Sequence, residues 1–137
     1  MGIDENRIKH IFAVARLMSD NAEKFGLDKE EMFTLGLLHD IGYEFGGSDE
    51  HHTLGGSILE KQNYKYFREV LHHGKPNCGY VSPALDLLNF ADMSVNRLGE
   101  VVGFEKRLED IKTRRGENSP HYQNSKAIID DLKQKGF

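Results

Sequence analysis

A chain of 137 residues is of single-domain length and buries a core without needing disulfide support. Its 18 Lys and Arg residues against 22 Asp and Glu residues give a net charge of −4, which argues against a nucleic-acid-binding surface. Cys78 is the one cysteine and no apolar run reaches membrane-spanning length, so we expect a cytoplasmic protein with neither a nucleic-acid nor a membrane partner.

Amphipathic spacing predicts two helices in the first 41 residues. Asp4 caps the first helix, in which apolar residues recur every three or four positions until Gly26 ends it. The second helix begins at the capping-box pattern of residues 28–31 and runs to Ile41. A loop is predicted over residues 42–50.

The same signals predict five further helices and no strand. They cover about residues 53–62, 66–73, 83–99, 104–115 and 119–133. Two of them begin with a Ser cap followed by proline, at Ser82 and Ser119. We therefore predict an all-α fold, a compact helical bundle forming one domain over residues 1–137, with the helices of residues 104–134 packed on the part that precedes them.

The dipeptide His39-Asp40 is unusual because it lies in the apolar run LLHDIG. A buried ionised carboxylate costs several kcal/mol unless a positive charge meets it. The nearest basic side chain along the sequence is Lys29. A metal ion is a candidate partner, and the rest of the chain would have to supply its other ligands.

Further candidate ligands precede or follow this dipeptide. His10 lies on the apolar side of the first helix, and Asp92 lies within the apolar segment LLNFADMSV. The remaining candidates form two pairs: His51-His52 and His72-His73. Imidazole and carboxylate ligands together suit iron, manganese or zinc rather than calcium.

Each of these residues also has a non-functional interpretation. His10 alone fits a hydrogen-bonded, half-buried histidine, and one member of each histidine pair can face solvent. Asp92 can pair with Arg97 or with a loop amide. Taken together, two carboxylates within apolar helices and four histidine positions would each need a separate explanation. A shared site accounts for all of them.

The order of these residues resembles the H…HD…H…H…D signature of the HD-domain superfamily, which consists of all-helical metal-dependent phosphohydrolases. The similarity covers about residues 5–100. In the segment HHTLGGSIL, Gly55 stands four residues after His51, a spacing that selects His51 over His52. The pattern is similar to that of small stand-alone bacterial HD proteins, including those that hydrolyse diadenosine tetraphosphate.

The resemblance implies a divalent transition-metal cofactor that is dinuclear, with iron or manganese favoured and zinc, nickel or cobalt as alternatives. One ion would be held by His10, His39, Asp40 and Asp92. Asp40, the implied catalytic residue, would bridge to a second ion. The ligands of this second ion would be His51 and His72, with His73 as a further candidate.

The implied reaction is hydrolysis of a phosphorylated small molecule, a nucleotide or a related phosphoester, by a hydroxide that bridges the two ions. Lys75 and Arg97 are the basic residues expected to contact substrate phosphates, with simple solvation as the alternative. Two other functions share the ligand set. One is a mixed-valent di-iron oxygenase, and the other is a non-catalytic regulatory module that binds a nucleotide or a metal.

The C-terminal third carries weaker signals. Lys106–Asp110 and Asp110–Arg114 are spaced i,i+4, which favours a solvated amphipathic helix over a phosphate-binding patch. His121, in the first turn of the last helix, is expected to be exposed.

Overall fold

The computed structural model describes residues 5–41 and 51–137, although the side chains of residues 51–53 lie outside that description. Within these ranges the chain forms α-helices and no named strand, so the all-α prediction is confirmed. The helices are α1 (Glu5–Asn21), α2 (Lys29–Leu38), α3 (His51–Lys61), α4 (Phe67–His72), α5 (Pro83–Asp92), α6 (Phe104–Arg115) and α7 (Pro120–Gln134). The loop predicted over residues 42–50 lies outside the described residues.

Three helices start at their predicted capping residues, while Asp4, the predicted cap of α1, lies outside the described residues. In each of three cases the capping side chain accepts a hydrogen bond from the main-chain N–H three residues on: Asp28 (2.9 Å), Ser82 (2.9 Å) and Ser119 (3.1 Å). Each such cap stabilises its helix by about 1 kcal/mol. α1 is prolonged by a 3₁₀ turn, Ala22–Phe25, which ends at Gly26 with φ of 70°.

Helices α1 and α2 cross closely because Gly36 faces the main chain of Ala15. A Cβ atom at Gly36 would overlap the Ala15 backbone, so only glycine permits this approach. A glycine also allows α3 and α4 to pack closely, since a Cβ at Gly56 would lie 2.6 Å from the Cβ of Leu71. The α1–α2 crossing brings the end of α2, with His39 and Asp40, against the first half of α1.

The apolar core consists of two clusters. The larger cluster lies among α1 to α5 and contains Val14, Met18, Ala22, Met32, Leu35, Leu59, Tyr66, Val70, Ala84, Leu87, Leu88, Ala91 and Val95. The smaller cluster joins the end of α5 to α7 through Met93, Ile128, Ile129 and Leu132. The ring of Phe137 stacks on that of Phe25, with 5.4 Å between centroids, and also contacts the ring of Phe90. The C-terminal residue therefore packs against both side chains.

The prediction that the fifth helix continues toward Gly99 is wrong, because α5 ends at Asp92. The hydroxyl of Ser94 donates to the carbonyl of Phe90 at 2.7 Å. This bond competes with the main-chain hydrogen bonds that would continue the helix. Val95 and Val101 then form an isolated antiparallel bridge. This turn carries the carbonyl of Asn96 back to α1.

Within the described ranges, none of the helices combines the length and the apolar character that crossing a membrane requires.

Candidate metal centre

Five side chains that could bind a metal meet where four helices come together. His10 comes from α1, His39 and Asp40 follow α2, His73 follows α4, and Asp92 ends α5. Each of these residues is at most 8% exposed. Packing of the four helices therefore encloses three imidazoles and two carboxylates in one buried cluster.

The nitrogen and oxygen atoms of this cluster lie close to one another. His10 Nε2 is 2.8 Å from Asp92 Oδ1, and His39 Nε2 is 3.2 Å from Asp40 Oδ2 and 3.4 Å from Asp92 Oδ1. His73 Nε2 is 3.6 Å from Asp40 Oδ1. Two overlapping triads, each with ligand atoms within 4.8 Å of one another, arise among the described residues: His10–His39–Asp40 and His39–His73–Asp92.

Main-chain carbonyls fix the orientation of all three imidazoles. The Nδ1 atoms lie at hydrogen-bond distance from carbonyl oxygens: His10 from Asn96 (3.0 Å), His39 from Gly36 (2.6 Å) and His73 from Val70 (2.6 Å). A carbonyl only accepts, so each Nδ1 carries a proton and donates it. Each Nε2 is thereby directed at the carboxylates, the arrangement by which proteins orient metal-ligating histidines.

His39 Nε2 is buried and has no hydrogen-bond partner in the described part of the chain. It faces oxygens of both Asp40 and Asp92. A nitrogen lone pair and two carboxylates repel each other unless a proton or a metal ion lies among them. The donor set, imidazole nitrogen with carboxylate oxygen, fits a divalent transition metal.

The protonation states of the cluster depend on the balance between burial and the neighbouring charges. Burial alone would lower the pKa of His39, but Asp40 and then Asp92 outweigh it and raise that pKa well above its usual value. Burial would raise the pKa of Asp92, yet the hydrogen bond with His10 and the nearby imidazole of His39 hold that pKa well below the usual range. Burial lowers the pKa of His73, with the neighbouring His39 adding to the effect. Without metal at neutral pH, His39 is therefore protonated, His73 neutral and Asp92 ionised.

Metal binding should therefore release a proton. A metal ion at His39 Nε2 displaces the proton held there, whereas Asp92 and His73 have none to lose. Affinity should rise with pH, by up to about tenfold per pH unit for one displaced proton, until the raised pKa of His39 is passed. Calorimetric titration of metal-free protein in two buffers of different ionisation enthalpy measures the release. A pH-independent affinity with no proton released would contradict this assignment.

The two histidines at the end of α4 have different surroundings. His73 enters the buried cluster, whereas His72 is half-buried and stacks on the ring of Tyr80, with 5.4 Å between centroids. Burial and then the neighbouring Lys75 lower the pKa of His72. Among the described residues the structure places His73, not His72, with the other candidate ligands. The side chains of residues 51–53 lie outside the description, so the choice of His51 over His52 stays a prediction.

Lys75 and Arg97, the expected phosphate contacts, occupy different surroundings. Lys75 lies in the turn after α4, where its main-chain N–H donates to the carbonyl of His72. Arg97 is largely exposed, and its Nε lies 3.8 Å from Asp110 Oδ1. The alternative in which Arg97 pairs with Asp92 is wrong, because Asp92 contacts His10, His39 and Arg107 instead.

Three residues near the cluster were missed by sequence reasoning or wrongly placed. Arg107 is buried, its Nε donates to the carbonyl of Asp92 at 3.2 Å, and its Nη2 lies 4.0 Å from Asp92 Oδ1. The predicted amphipathic helix is present as α6, with Asp110 and Arg114 paired at 3.6 Å, but its pattern did not indicate that Arg107 is buried on the same face as Ile111. Arg7, one turn before His10, lies 3.9 Å from Asp40.

His121 is the third of these residues. It is half-buried rather than exposed, so the expectation from its terminal position is wrong. Burial, followed by Arg115 and Arg107, lowers the pKa of His121 to about 4. The imidazole is therefore neutral at physiological pH and lies in a positive environment.

A buried carboxylate holds the ends of α4 and α5 together. Glu69 Oε2 accepts hydrogen bonds from the hydroxyls of Tyr80 (2.8 Å) and Ser82 (2.7 Å). The main-chain N–H of Gly74 donates to Asn89 Oδ1 at 2.9 Å. These bonds fix the position of His73, at the end of α4, relative to α5.

The sequence matches a protein family. The model of the HD domain family matches residues 7–133. Ribonuclease Y of Mycoplasma capricolum subsp. capricolum is 39% identical over 61 residues, which are 43% of this chain and 12% of that protein. Ribonuclease Y of Symbiobacterium thermophilum is 36% identical over 83 residues, which are 58% of this chain and 15% of that protein. The chain thus spans a small fraction of the curated relatives it matches. No solved structure gave a significant match.

Proposed function

The chain belongs to the HD domain family, a superfamily of metal-dependent phosphohydrolases, and from this premise we propose that it hydrolyses a phosphoester or phosphoanhydride bond of a nucleotide or related small molecule. The observation that carries the proposal is the buried cluster. Its three imidazoles are fixed through Nδ1, and its inward-facing His39 Nε2 has no hydrogen-bond partner. All five cluster residues lie inside the matched stretch.

We propose that the cluster holds two ions, iron or manganese, with zinc, nickel or cobalt as alternatives. Asp40 suits a bridging ligand, because its Oδ2 faces His39 and its Oδ1 faces His73. His10 and Asp92 complete the first set of ligands, and His51 is the proposed further ligand of the second ion. When bound, the metal supplies an acidified water and neutralises charge on the phosphoryl oxygens.

The chain's own residues add binding and orientation. Arg7 beside Asp40 and Arg107 beside Asp92 place guanidinium groups at two sides of the cluster. Guanidinium groups match phosphate oxygens in geometry and charge. Lys75, in the turn after α4, is proposed to contact the substrate from a third direction. Burial of the cluster keeps bulk water away and strengthens each of these interactions.

Two observations support a nucleotide as substrate. The similar curated proteins are named ribonuclease Y, a name that describes cleavage of RNA. The net charge of −4 disfavours a long nucleic-acid contact surface, so a small ribonucleotide fits the chain better than a polymer.

The proposal is tested by a hydrolysis screen on metal-loaded protein. The panel contains p-nitrophenyl phosphate, bis(p-nitrophenyl) phosphate, nucleoside mono-, di- and triphosphates, and short ribonucleotides, with Asp40→Ala as the inactive control. We expect metal-dependent release of phosphate or a nucleotide from part of this panel. If protein that demonstrably holds metal cleaves none of them, phosphohydrolysis is refuted. Oxygen uptake by an Fe(II)/Fe(III) pair would then identify an oxygenase.

A further inference from the structure

Three arginines surround one carboxylate beside the candidate metal centre. Arg107 Nη1 lies 3.5 Å from Asp110 Oδ2, while Arg97 Nε and Arg114 Nε lie 3.8 and 3.6 Å from Asp110 Oδ1. Among the described residues, Asp110 is the acid within ion-pair distance of Arg97 and Arg114. Arg107 Nη2 also lies 4.0 Å from Asp92 Oδ1, so three guanidinium charges face two carboxylate charges and one positive charge is left in excess. Arg97, Arg107, Asp110 and Arg114 are called the arginine cluster below.

The arginine cluster runs from the metal centre to the surface. Its inner end is Arg107, whose side chain is 7% exposed and which contacts Asp92. The exposed fraction of the side chain then increases through Asp110 (23%) and Arg114 (32%) to Arg97 (48%). The arginine cluster thus places guanidinium groups both at the surface and beside Asp92, a candidate ligand of the metal.

Stability alone does not account for this arrangement. Guanidinium groups that share one carboxylate repel each other, and a second acid near Arg114 would have relieved that repulsion. The half-buried imidazole of His121 reports the same positive field, since Arg115 and Arg107 add to the effect of burial in lowering its pKa. A cluster of this kind is complementary to an anion with several oxygens, and a phosphate group, with three or more oxygens, can accept hydrogen bonds from several guanidinium groups at once.

We propose that Arg97, Arg107 and Arg114 form a subsite for a second phosphate group of the substrate, beside the phosphate that reacts at the metal centre. The inference rests on the proposed function and narrows the substrate class. It selects nucleotides with at least two phosphate groups over simple monoesters. The second phosphate is either the neighbour in a phosphoanhydride or a phosphate on another position of the same nucleotide.

The experiment compares binding of three adenosine ligands to the metal-loaded protein by calorimetry at constant ionic strength. AMP carries one phosphate, α,β-methylene-ADP carries an adjacent phosphonate analogue of the second, and adenosine 3′,5′-bisphosphate carries a separated one. We expect at least one two-phosphate ligand to bind about tenfold or more tightly than AMP. The two ligands distinguish the two sources of the second phosphate.

Two variants assign the preference to the arginine cluster. Arg114→Gln removes one partly exposed guanidinium and should abolish most of the preference for two phosphates, while AMP binding changes little. Lys112→Gln is the matched control, because this lysine lies on the opposite face of α6 and pairs with Glu117. It removes the same charge from the same helix and should leave the preference intact. Unfolding temperatures of both variants verify the fold.

Equal binding of all three ligands would overturn the inference, as would equal losses in the two variants. These outcomes are separable from a failure of the proposed function. A protein that hydrolyses phosphoesters without preferring two phosphates lacks the subsite but remains an enzyme. A protein that shows the Arg114-dependent preference and hydrolyses nothing has the anion site without the reaction.

Discussion

Asp40→Ala should abolish metal retention and turnover together. Asp40 lies 3.2 Å from His39 and 3.6 Å from His73 through different oxygens, so its loss removes negative charge from both halves of the cluster. It also leaves Arg7 facing the bound ions with less compensation. We expect turnover to fall by at least about a hundredfold to a thousandfold, the order of magnitude lost when one stabilising group is removed from a buried site.

The measurement is metal stoichiometry after reconstitution, together with initial rates on the substrate found in the screen. Asp86→Ala is the matched control. It removes a carboxylate from the α5 surface that pairs with Lys135, and both metal content and rate should remain near wild type. An Asp40→Ala protein that is folded and keeps its full metal content would show that Asp40 is not a ligand.

His73→Ala should reduce metal affinity strongly, whereas His72→Ala should reduce it only slightly. His73 is 1% exposed, its Nδ1 is held by the carbonyl of Val70, and its Nε2 faces Asp40. Loss of a directly coordinating imidazole should reduce metal affinity by more than the roughly tenfold to a hundredfold that outer-shell partners contribute. His72 stacks on Tyr80 at the edge of the cluster, so its removal should change affinity by only a few fold.

Competition with a metal-sensitive dye measures the affinities of the two variants. His73→Gln, which fills more of the volume, separates loss of a ligand from a cavity effect: it should lose metal like His73→Ala while unfolding nearer the wild-type temperature. If His72→Ala loses metal and His73→Ala keeps it, the register of this helix end is different from the one described.

Helix starts and the first pair of candidate ligands were predictable from sequence because both depend on local signals. A Ser or Asp cap and a following proline act within one turn, and the structure has caps at Asp28, Ser82 and Ser119 as predicted. The His39-Asp40 dipeptide stood out because a charged pair in an apolar run requires an explanation. Its burial bears out that reasoning, while the identity of its cation remains a prediction.

The features of the fold and of the site that were not predicted depend on contacts between residues far apart in the sequence. α5 stops at Asp92 because a turn pairs Val95 with Val101 and offers Asn96 to His10, contacts that no local pattern encodes. Arg107 was not singled out from the sequence, because its partner Asp92 lies 15 residues away along the chain. The choice between His72 and His73 likewise depends on which side of α4 faces Asp40.

Elemental analysis decides whether a transition metal binds in the buried cluster, which consists of His10, His39, Asp40, His73 and Asp92. Protein stripped with a chelator is reconstituted anaerobically with iron, manganese, zinc, nickel and cobalt in turn, desalted and analysed against protein concentration. We expect at least one equivalent of one of these metals, rising toward two for the preferred ion. Well under one equivalent of every metal, in protein that is folded, would contradict it.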